Sequence, residues 1–247
     1  MKSILITGAA RGVGRSIAIE AARSGLYNRI IINCLSRESS LKETENMVND
    51  SLRQVFQDTP ARCIASLGDV GDIKYVEKLH ETIGDIDVLV NNAAISITGL
   101  LTDMEPSEWD KIIKTNITSV YNTCHTFAPG MIRKKEGKIL NISSVWGLRG
   151  ASCEVAYSAT KGAVNAFTQA FAKELAPSNV QVNAAALGIV DTEMNSNLSP
   201  EDKSYIIEEI PAGYIMTADE AARSIMSLID MPPYFTGEVV KIDGGWQ

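Results

Sequence analysis

Short runs of consecutive apolar residues alternate with longer segments of mixed polarity along the whole chain. The apolar runs predict buried strands at 4–6, 29–34, 63–70, 88–90, 138–141, 180–186 and 238–242. The segments between them carry apolar residues at helical spacing and predict helices at 13–22, 38–58, 73–83, 109–135, 152–176 and 218–229. Strand and helix therefore alternate from one end of the chain to the other.

Strands that are apolar along their whole length, with helices between them, are typical of a parallel sheet covered on both faces. No low-complexity linker, internal repeat or break in composition divides the chain. We therefore expect an α/β fold, a single doubly wound Rossmann-type domain over residues 1–247. Its parallel sheet should have about seven strands, with helices on both faces.

Charge and composition narrow the range of functions. A net charge of −7 and a pI near 5.0 disfavour a nucleic-acid-binding surface, which is normally basic. No apolar run reaches the length of a membrane span, and the N-terminus enters a strand without room for a signal peptide. We therefore expect a cytoplasmic protein with no membrane or nucleic-acid partner. The four cysteines are far apart and form no CxxC pair, so we expect no metal site.

A glycine-rich turn follows the first strand and opens the first helix. Its glycines, Gly8, Gly12 and Gly14, allow the backbone to approach a phosphate, and the helix N-terminus offers unpaired N–H groups. The spacing is GxxxGxG, whereas the commonest dinucleotide fingerprint is GxGxxG. The turn predicts a nucleotide site, with a purely structural turn as the alternative.

The end of the second strand distinguishes the two nicotinamide cofactors. An acidic residue there binds the ribose 2′-OH of NAD, whereas an arginine accepts the 2′-phosphate of NADP. Here that strand is followed by Arg37, and the first acidic residue is Glu38. Together with Arg11 in the glycine turn, Arg37 predicts a phosphate clamp and NADPH as the cofactor. The alternative is that both arginines are surface charges.

Tyr157 and Lys161 are four residues apart and therefore share one face of a helix. A lysine beside a tyrosine favours the phenolate, so we expect Lys161 to lower the pKa of Tyr157. The tyrosine would then donate or accept a proton near neutral pH. The pair Ser143 and Ser144 lies just upstream. Combined with the nucleotide turn, this pattern indicates hydride transfer.

These motifs occur in the order and spacing of the short-chain dehydrogenase/reductase family, which the chain resembles from residue 3 to residue 245. The matching positions are 7–14, Asp69-Val70, Asn91-Asn92-Ala93-Ala94, Asn116, Ser144, Tyr157 with Lys161, and Asp243-Gly244-Gly245. The nearest subgroup is the 3-oxoacyl-(acyl-carrier-protein) reductases of fatty acid biosynthesis. In the family the serine precedes the tyrosine by 13 positions, which selects Ser144, with Ser143 as the alternative.

The resemblance implies a role for each matching residue. Tyr157 would be the general acid, Lys161 would also hold the nicotinamide ribose, Ser144 would donate to the substrate carbonyl, and Asn116 would hold a water. The implied cofactor-binding residues are Gly8, Ala10, Arg11, Gly12, Val13, Gly14, Arg37, Asp69, Val70, Asn91, Ala93, Tyr157, Lys161, Gly188, Val190 and Thr192.

Within that set, the resemblance places Asp69 and Val70 at the adenine. It places Asn91 and Ala93 at the adenine-side ribose, and the last three residues, 188, 190 and 192, at the nicotinamide. For Asp69 the alternative is an N-cap of the helix that begins at Ile73.

Two positions depart from the family pattern. Ala94 stands where the family has glycine, and Leu187 stands before Gly188 where the family has proline. We expect Ala94 to do little harm. A proline would pre-set the backbone, so we expect Leu187 to leave the following loop freer and to reshape the substrate mouth.

In this family the segment at about 194–216 covers the substrate. Here it predicts a short helix that begins at Pro200 and ends before Pro211. Ile206, Ile207 and Ile210, with Tyr214, predict an apolar inner face that suits an acyl substrate, although simple packing is the alternative.

The resemblance therefore implies an enzyme that reduces a 3-oxoacyl thioester with NADPH. Its partner would be a small-molecule carbonyl substrate, with acyl carrier protein or CoA as alternative carriers. Two other readings stay open: a different carbonyl substrate (a hydroxysteroid, a sugar or a small ketone) and a non-catalytic dinucleotide-sensing protein. The helix at 152–176 is apolar on more than one side, which together with the resemblance implies a homotetramer.

Overall fold

A computed structural model of the protein describes residues 2–57, 60–196 and 198–247. The strands are β1 (Lys2–Ile6), β2 (Tyr27–Cys34), β3 (Arg62–Leu67), β4 (Val88–Asn91), β5 (Gly137–Ser144), β6 (Val180–Leu187), β7 (Val190–Asp191), β8 (Met216–Thr217) and β9 (Val239–Ile242). The α-helices are α1 (Gly12–Arg23), α2 (Glu38–Val55), α3 (Ile73–Ile83), α4 (Pro106–Ile113), α5 (Ser119–Lys134), α6 (Trp146–Arg149), α7 (Val155–Leu175), α8 (Pro200–Glu209) and α9 (Ala218–Asp230).

Seven of these strands form one parallel sheet in the order β3-β2-β1-β4-β5-β6-β9. The chain moves outward from β1 to β3 and then returns to β4 on the other side of β1. This reversal creates a crevice at the carboxyl ends of β1 and β4, where doubly wound sheets bind ligands. The predicted α/β fold with seven parallel strands is confirmed.

Helices cover both faces of the sheet, because the central strands are apolar on both sides. Ile4 and Ile6 of β1 pack into the core layer that includes α1, α2 and α9. Leu5, between them, packs into the opposite layer with α3, α5 and α7. This alternation follows from the two-residue period of a strand. The sheet is therefore a buried, rigid platform, and its carboxyl edge carries the loops.

Several strand and helix boundaries differ from those predicted from the sequence. The third strand ends at Leu67, so that Asp69 and Val70 lie in the following turn and not in the strand as predicted. The second helix ends at Val55, and Asp58, the predicted end, lies outside the described residues. The predicted helical region 109–135 begins earlier, at Pro106, because Glu105 and Glu108 form a capping box around it.

Candidate active site

The sequence-predicted site residues gather along one edge of the sheet. The glycine turn follows β1, Arg37 follows β2, Asp69 follows β3, Ala93 follows β4, and Gly188 follows β6. Ser144 is the last residue of β5. Since all these strands are parallel, their carboxyl ends meet at the same edge. The fold thus places the predicted residues around one crevice.

The glycine turn packs directly against the end of β4. Gly8 has a φ of +66°, and a Cβ added there would lie 2.8 Å from the Cα of Ala93. Asn92 fixes this approach: its Nδ2 donates to the carbonyl oxygens of Thr7 (2.9 Å) and Gly8 (3.1 Å). A side chain at position 8 would push the turn away from Ala93. Asn92, which belongs to the matching motif but had no role assigned from the sequence, is therefore a positioning residue.

Helix α1 presents its N-terminus to the same crevice. No side chain caps its first turn within the described part of the chain, and the residue before it, Arg11, is extended. Behind the turn, Arg15 Nη2 donates to the carbonyl oxygen of Ala10 at 2.7 Å. A helix N-terminus with unpaired N–H groups attracts phosphate through its dipole. The turn and the helix start therefore fit a dinucleotide phosphate.

Arg11 and Arg37 lie together, as the predicted phosphate clamp requires. Both form ion pairs with the carboxylate of Glu193, and Arg37 does so bidentately, at 2.9 and 3.1 Å. The pKa of Arg11 is lowered, first by partial burial and second by the neighbouring charge of Arg37. Glu193 was not predicted from the sequence, because its contact spans 156 positions from Arg37 and no local pattern marks it.

Asp69, expected at the adenine, holds its turn in place. One carboxylate oxygen accepts a hydrogen bond from the backbone N–H of Gly71 at 2.8 Å, and the other pairs with Lys114 Nζ at 2.7 Å. That bond raises the pKa of Lys114. The N-cap of α3 is Asp72 and not Asp69, so the alternative reading of Asp69 as that cap is wrong. Val70, beside it, is buried.

Asn91 lies at the end of β4, but its side chain points into the core. Its Nδ2 donates to Asn141 Oδ1 at 2.9 Å, and its Oδ1 accepts from Thr123 Oγ1 at 2.7 Å. Buried polar groups need such partners, and these bonds occupy the amide. Only the backbone of Asn91 therefore has the geometry to border a ribose.

Ser144 and Tyr157 meet at the carboxyl end of β5. The Ser144 hydroxyl lies beside the Tyr157 side chain, whose pKa it lowers, and accepts from the backbone N–H of Trp146 at 3.2 Å. The Ser143 hydroxyl donates instead to the carbonyl oxygen of Lys161 at 3.3 Å. Neighbouring residues of a strand face opposite sides. Ser144, and not its alternative Ser143, is therefore the serine beside the tyrosine.

The pKa of Tyr157 differs from the sequence expectation. Burial raises it to about 12, with the Ser144 hydrogen bond lowering it and the charge of Glu154 raising it further. Lys161 does not lower it here, because its Nζ donates to the carbonyl oxygen of Ile142 at 2.7 Å and lies 5.6 Å from the centre of the tyrosine ring. Burial also lowers the pKa of Lys161 to about 8. The expected depression of the Tyr157 pKa by Lys161 is thus wrong for this structure.

Asn116 lies in a single π-helical turn, Lys114–Thr118, between α4 and α5. Its amide accepts from the backbone N–H of Ile95 and donates to the carbonyl oxygen of the same residue, both at 2.8 Å. The Nδ2 also donates to Thr160 Oγ1 at 3.1 Å, one turn from Tyr157 on α7. Such π turns often mark functional sites. Asn116 therefore joins the loop after β4 to the helix that carries Tyr157 and Lys161.

The segment after β6 closes the crevice on the far side. The backbone N–H of Gly188 donates to the carbonyl oxygen of Ile242 at 2.8 Å, and an added Cβ would lie 2.9 Å from the Cα of Asp243. Thr192 is extended and lies beside the glycine turn, because a Cβ on Gly12 would be 3.4 Å from its Cγ2. Val190 is buried in β7, which pairs with β8.

Leu187, which stands where the family has proline, is the last residue of β6. It is 5% exposed and pairs with Ser144 on one side and with Ile242 on the other. Because β6 continues through position 187, the sheet holds the backbone that a proline would otherwise pre-set. Leu187 and Gly188 are therefore held by the sheet, and the expected freedom of the loop that follows them stays a prediction.

Within residues 2–57, 60–196 and 198–247, no group of three or more histidine, cysteine or acidic side chains is arranged to hold a metal. None of the described helices is long and apolar enough to cross a membrane.

Known proteins are similar to this chain in sequence and in fold. The family model for short chain dehydrogenases matches residues 2–203. An uncharacterized oxidoreductase of Bacillus subtilis, YmfI, is 36% identical over 99% of this chain and 98% of its own length. The 3-oxoacyl-(acyl-carrier-protein) reductase FabG of Thermotoga maritima is also 36% identical, over 99% of this chain and 97% of its own.

Among solved structures, a 3-oxoacyl-(acyl-carrier protein) reductase of Brucella melitensis with bound NAD superimposes with a TM-score of 0.87 at 30% identity. The match covers 99% of this chain and 90% of that one. The resemblance seen in the motifs thus extends over the whole sequence and the whole fold. The chain belongs to the short-chain dehydrogenase family of oxidoreductases, whose members bind a nicotinamide dinucleotide.

Proposed function

We propose that the protein reduces the ketone of a 3-oxoacyl thioester to a secondary alcohol with NADPH. The observation that carries this proposal is the placement of the Ser144 hydroxyl beside Tyr157, next to buried Lys161, at the carboxyl edge of the sheet. Two hydroxyl donors side by side suit a carbonyl oxygen on which negative charge develops. The crevice beside them has the features of a dinucleotide site.

In this proposal the chain supplies the proton and holds the carbonyl. With its pKa raised to about 12, Tyr157 carries its proton at neutral pH, as a general acid for reduction must. Tyr157 would give that proton to the substrate oxygen while Ser144 donates a hydrogen bond to the same oxygen. Bound NADPH supplies the hydride. The product is the alcohol, and Lys161 and Asn116 keep the helix and loop around Tyr157 in position.

The proposed cofactor site uses the crevice between β1 and β4. Gly8, the open start of α1 and Thr192 would border the pyrophosphate and the nicotinamide end. Asp69 and Ala93 would border the adenosine. The adjacent Arg11 and Arg37 support NADPH over NADH, because two guanidinium groups suit a 2′-phosphate.

The proposed substrate class rests on the relatives and on the segment 194–216. Relatives of the same length are named 3-oxoacyl-(acyl-carrier-protein) reductases. In this chain α8 begins at Pro200, as the sequence predicted, and Ser199 and Asp202 form a capping box at its start. Ile206 and Ile207 are half-buried and Ile210 is buried, but Tyr214 is 51% exposed and does not join the apolar face. We propose that this segment covers an acyl chain carried on acyl carrier protein or CoA.

The test follows NADPH absorbance with acetoacetyl-CoA and acetoacetyl-acyl carrier protein as substrates. We expect oxidation that requires NADPH and falls at least about a hundredfold in Tyr157→Phe, since the general acid is lost. Ser143→Ala is the matched control for Ser144→Ala, because only the second removes the hydroxyl that lies beside Tyr157, whereas the Ser143 hydroxyl donates to the carbonyl oxygen of Lys161. Ser144→Ala should lower kcat far more than Ser143→Ala.

Other outcomes point to the remaining readings. Turnover of steroid, sugar or small ketones in place of thioesters would keep the reaction and replace the substrate class. Tight NADPH binding without turnover of any ketone would favour a dinucleotide sensor. The homotetramer and the cytoplasmic location stay predictions, and the oligomer is tested below.

A further inference from the structure

The carboxylate of Glu193 lies between the two arginines of the proposed phosphate clamp. It accepts from Arg37 through both of its oxygens, at 2.9 and 3.1 Å, and one oxygen also pairs with Arg11. The bidentate geometry is the one that guanidinium groups adopt with carboxylates and phosphates alike. Glu193 therefore makes the contacts that a phosphate in this clamp would make.

Glu193 also has a particular place in the chain. It follows Thr192 and begins the short helical turn Glu193–Asn195 that leads into the segment proposed to cover the substrate. The side chains of Glu193, Arg11 and Arg37 are exposed to a similar extent, by 51%, 40% and 48%. Such partly exposed groups are accessible to a ligand, and their pairing is weak enough to be exchanged.

We propose that Glu193 is a cofactor-specificity residue whose carboxylate competes with the 2′-phosphate of NADPH for Arg11 and Arg37. The inference rests on the proposed NADPH site. A cofactor with a 2′-phosphate must displace the carboxylate and bring a second negative group near it. NADH has only hydroxyl groups on that ribose and leaves both ion pairs intact. Glu193 thus weakens the binding of NADPH but not of NADH. It reduces the preference for NADPH over NADH that the two arginines alone would create.

The experiment measures the binding of NADPH and NADH by the change in cofactor fluorescence, without substrate. Glu193→Gln keeps the size of the side chain and removes its charge. We expect it to tighten NADPH binding by about threefold or more, the scale of an exposed ion pair, and to leave NADH binding unchanged. Glu193→Ala should act in the same direction, which guards against a new contact from the glutamine.

The matched control is Glu136→Gln. Glu136 is also an exposed carboxylate in an ion pair, with Lys2 at 3.1 Å, but it precedes β5 at the opposite edge of the sheet. Glu136→Gln removes the same charge from the protein as Glu193→Gln does. If the lower net negative charge alone raised the affinity for anionic cofactors, that rise would also appear in this control. NADPH affinity in Glu136→Gln should equal that of the wild type.

The two proposals have separate readouts. The ratio of NADPH to NADH affinity in the wild type tests the proposed cofactor, whereas the change from wild type to Glu193→Gln tests Glu193. If the wild type binds NADH more tightly than NADPH, the proposed cofactor is overturned. If Glu193→Gln nevertheless binds NADPH more tightly than the wild type does, the role of Glu193 is supported. Unchanged or weaker NADPH binding in both Glu193 variants, or an equal gain for NADH, would overturn the role of Glu193.

Discussion

The acidity of Tyr157 depends on a few neighbouring groups. Burial raises its pKa, the hydrogen bond from Ser144 lowers it, and the charge of Glu154 raises it. Glu154 lies three residues before Tyr157, and its carboxylate is fixed by the hydroxyls of Ser96 (2.5 Å) and Thr98 (3.0 Å). A carboxylate held this firmly acts on the tyrosine as a constant negative charge.

Glu154→Gln should therefore lower the pKa of Tyr157. The reaction needs Tyr157 protonated, so the rate falls as pH rises through that pKa. Removing the negative charge stabilises the phenolate, and the falling limb of kcat/KM should move to lower pH. The measurement is a pH profile of ketone reduction. Glu174→Gln, near the exposed end of the same helix, should leave the profile in place; a limb that stays put or moves upward in Glu154→Gln would contradict the prediction.

Sequence spacing predicts which residues approach each other within one element, but not which interactions dominate after burial. Four-residue spacing places Lys161 on the same side of α7 as Tyr157, but it does not reveal that the carbonyl oxygen of Ile142 binds the Lys161 ammonium group. Ser144 and Tyr157 lie on different elements, and the 13-residue separation that selects Ser144 came from the family resemblance. Spacing also fails for Glu193, whose partners Arg11 and Arg37 lie in the distant turns that precede α1 and α2.

At the scale of elements, the C-terminal tail ties the segment 194–216 to the catalytic end of β5. The Trp246 ring packs edge-on against Trp146, with ring centres 5.1 Å apart, and its Nε1 donates to Glu209 of α8 at 3.2 Å. The backbone N–H of Ala212 donates to the carbonyl oxygen of Gly244 at 3.0 Å. Helix α8 is largely exposed otherwise, so these contacts carry much of its attachment.

Trp246→Ala should loosen α8 without unfolding the protein. The aromatic contact and the bond to Glu209 are lost, whereas the buried sheet is untouched. We expect faster hydrogen exchange in residues 200–209 and a KM for the acyl thioester raised by about threefold to tenfold, with a smaller change in kcat. Tyr234→Ala removes a fully exposed ring elsewhere and is the control. Unchanged exchange in α8 would show that the tail does not hold it.

The sequence predicted the long elements because their patterns are strong. Core strands are predicted by the apolar runs Ile30-Ile31-Ile32 and 180–186, the second of which belongs to the fully buried strand β6. The two-residue strands β7 and β8 have no period to detect, and the π turn at Lys114–Thr118 follows α4 with no Gly or Pro to mark it. Short features of this kind are set by tertiary contacts, such as the pairing of Val190 with Met216.

At the scale of the whole molecule, helix α7 has an exposed face of small residues. One side of it packs on the sheet through Val164, Thr168 and Ala172. The other side exposes alanines, at 159, 163, 166 and 170, which lie on one face at helical spacing. The alanines at the centre of this face allow a second helix to approach closely and support the proposed homotetramer, whereas exposed Gln169 and Lys173 lie at its edge and its C-terminal end.

Ala166→Arg tests this assembly. In the wild type, light scattering coupled to size exclusion should give about four times the 26.7 kDa of one chain. An arginine at the centre of the alanine face would bury an unpaired charge between subunits, so we expect a smaller species with the same circular dichroism spectrum. Asn46→Arg adds the same charge to the exposed face of α2 and should leave the mass unchanged. If the wild type has the mass of a single chain, the proposed tetramer is wrong. If Ala166→Arg is still a tetramer, the interface lies on another face.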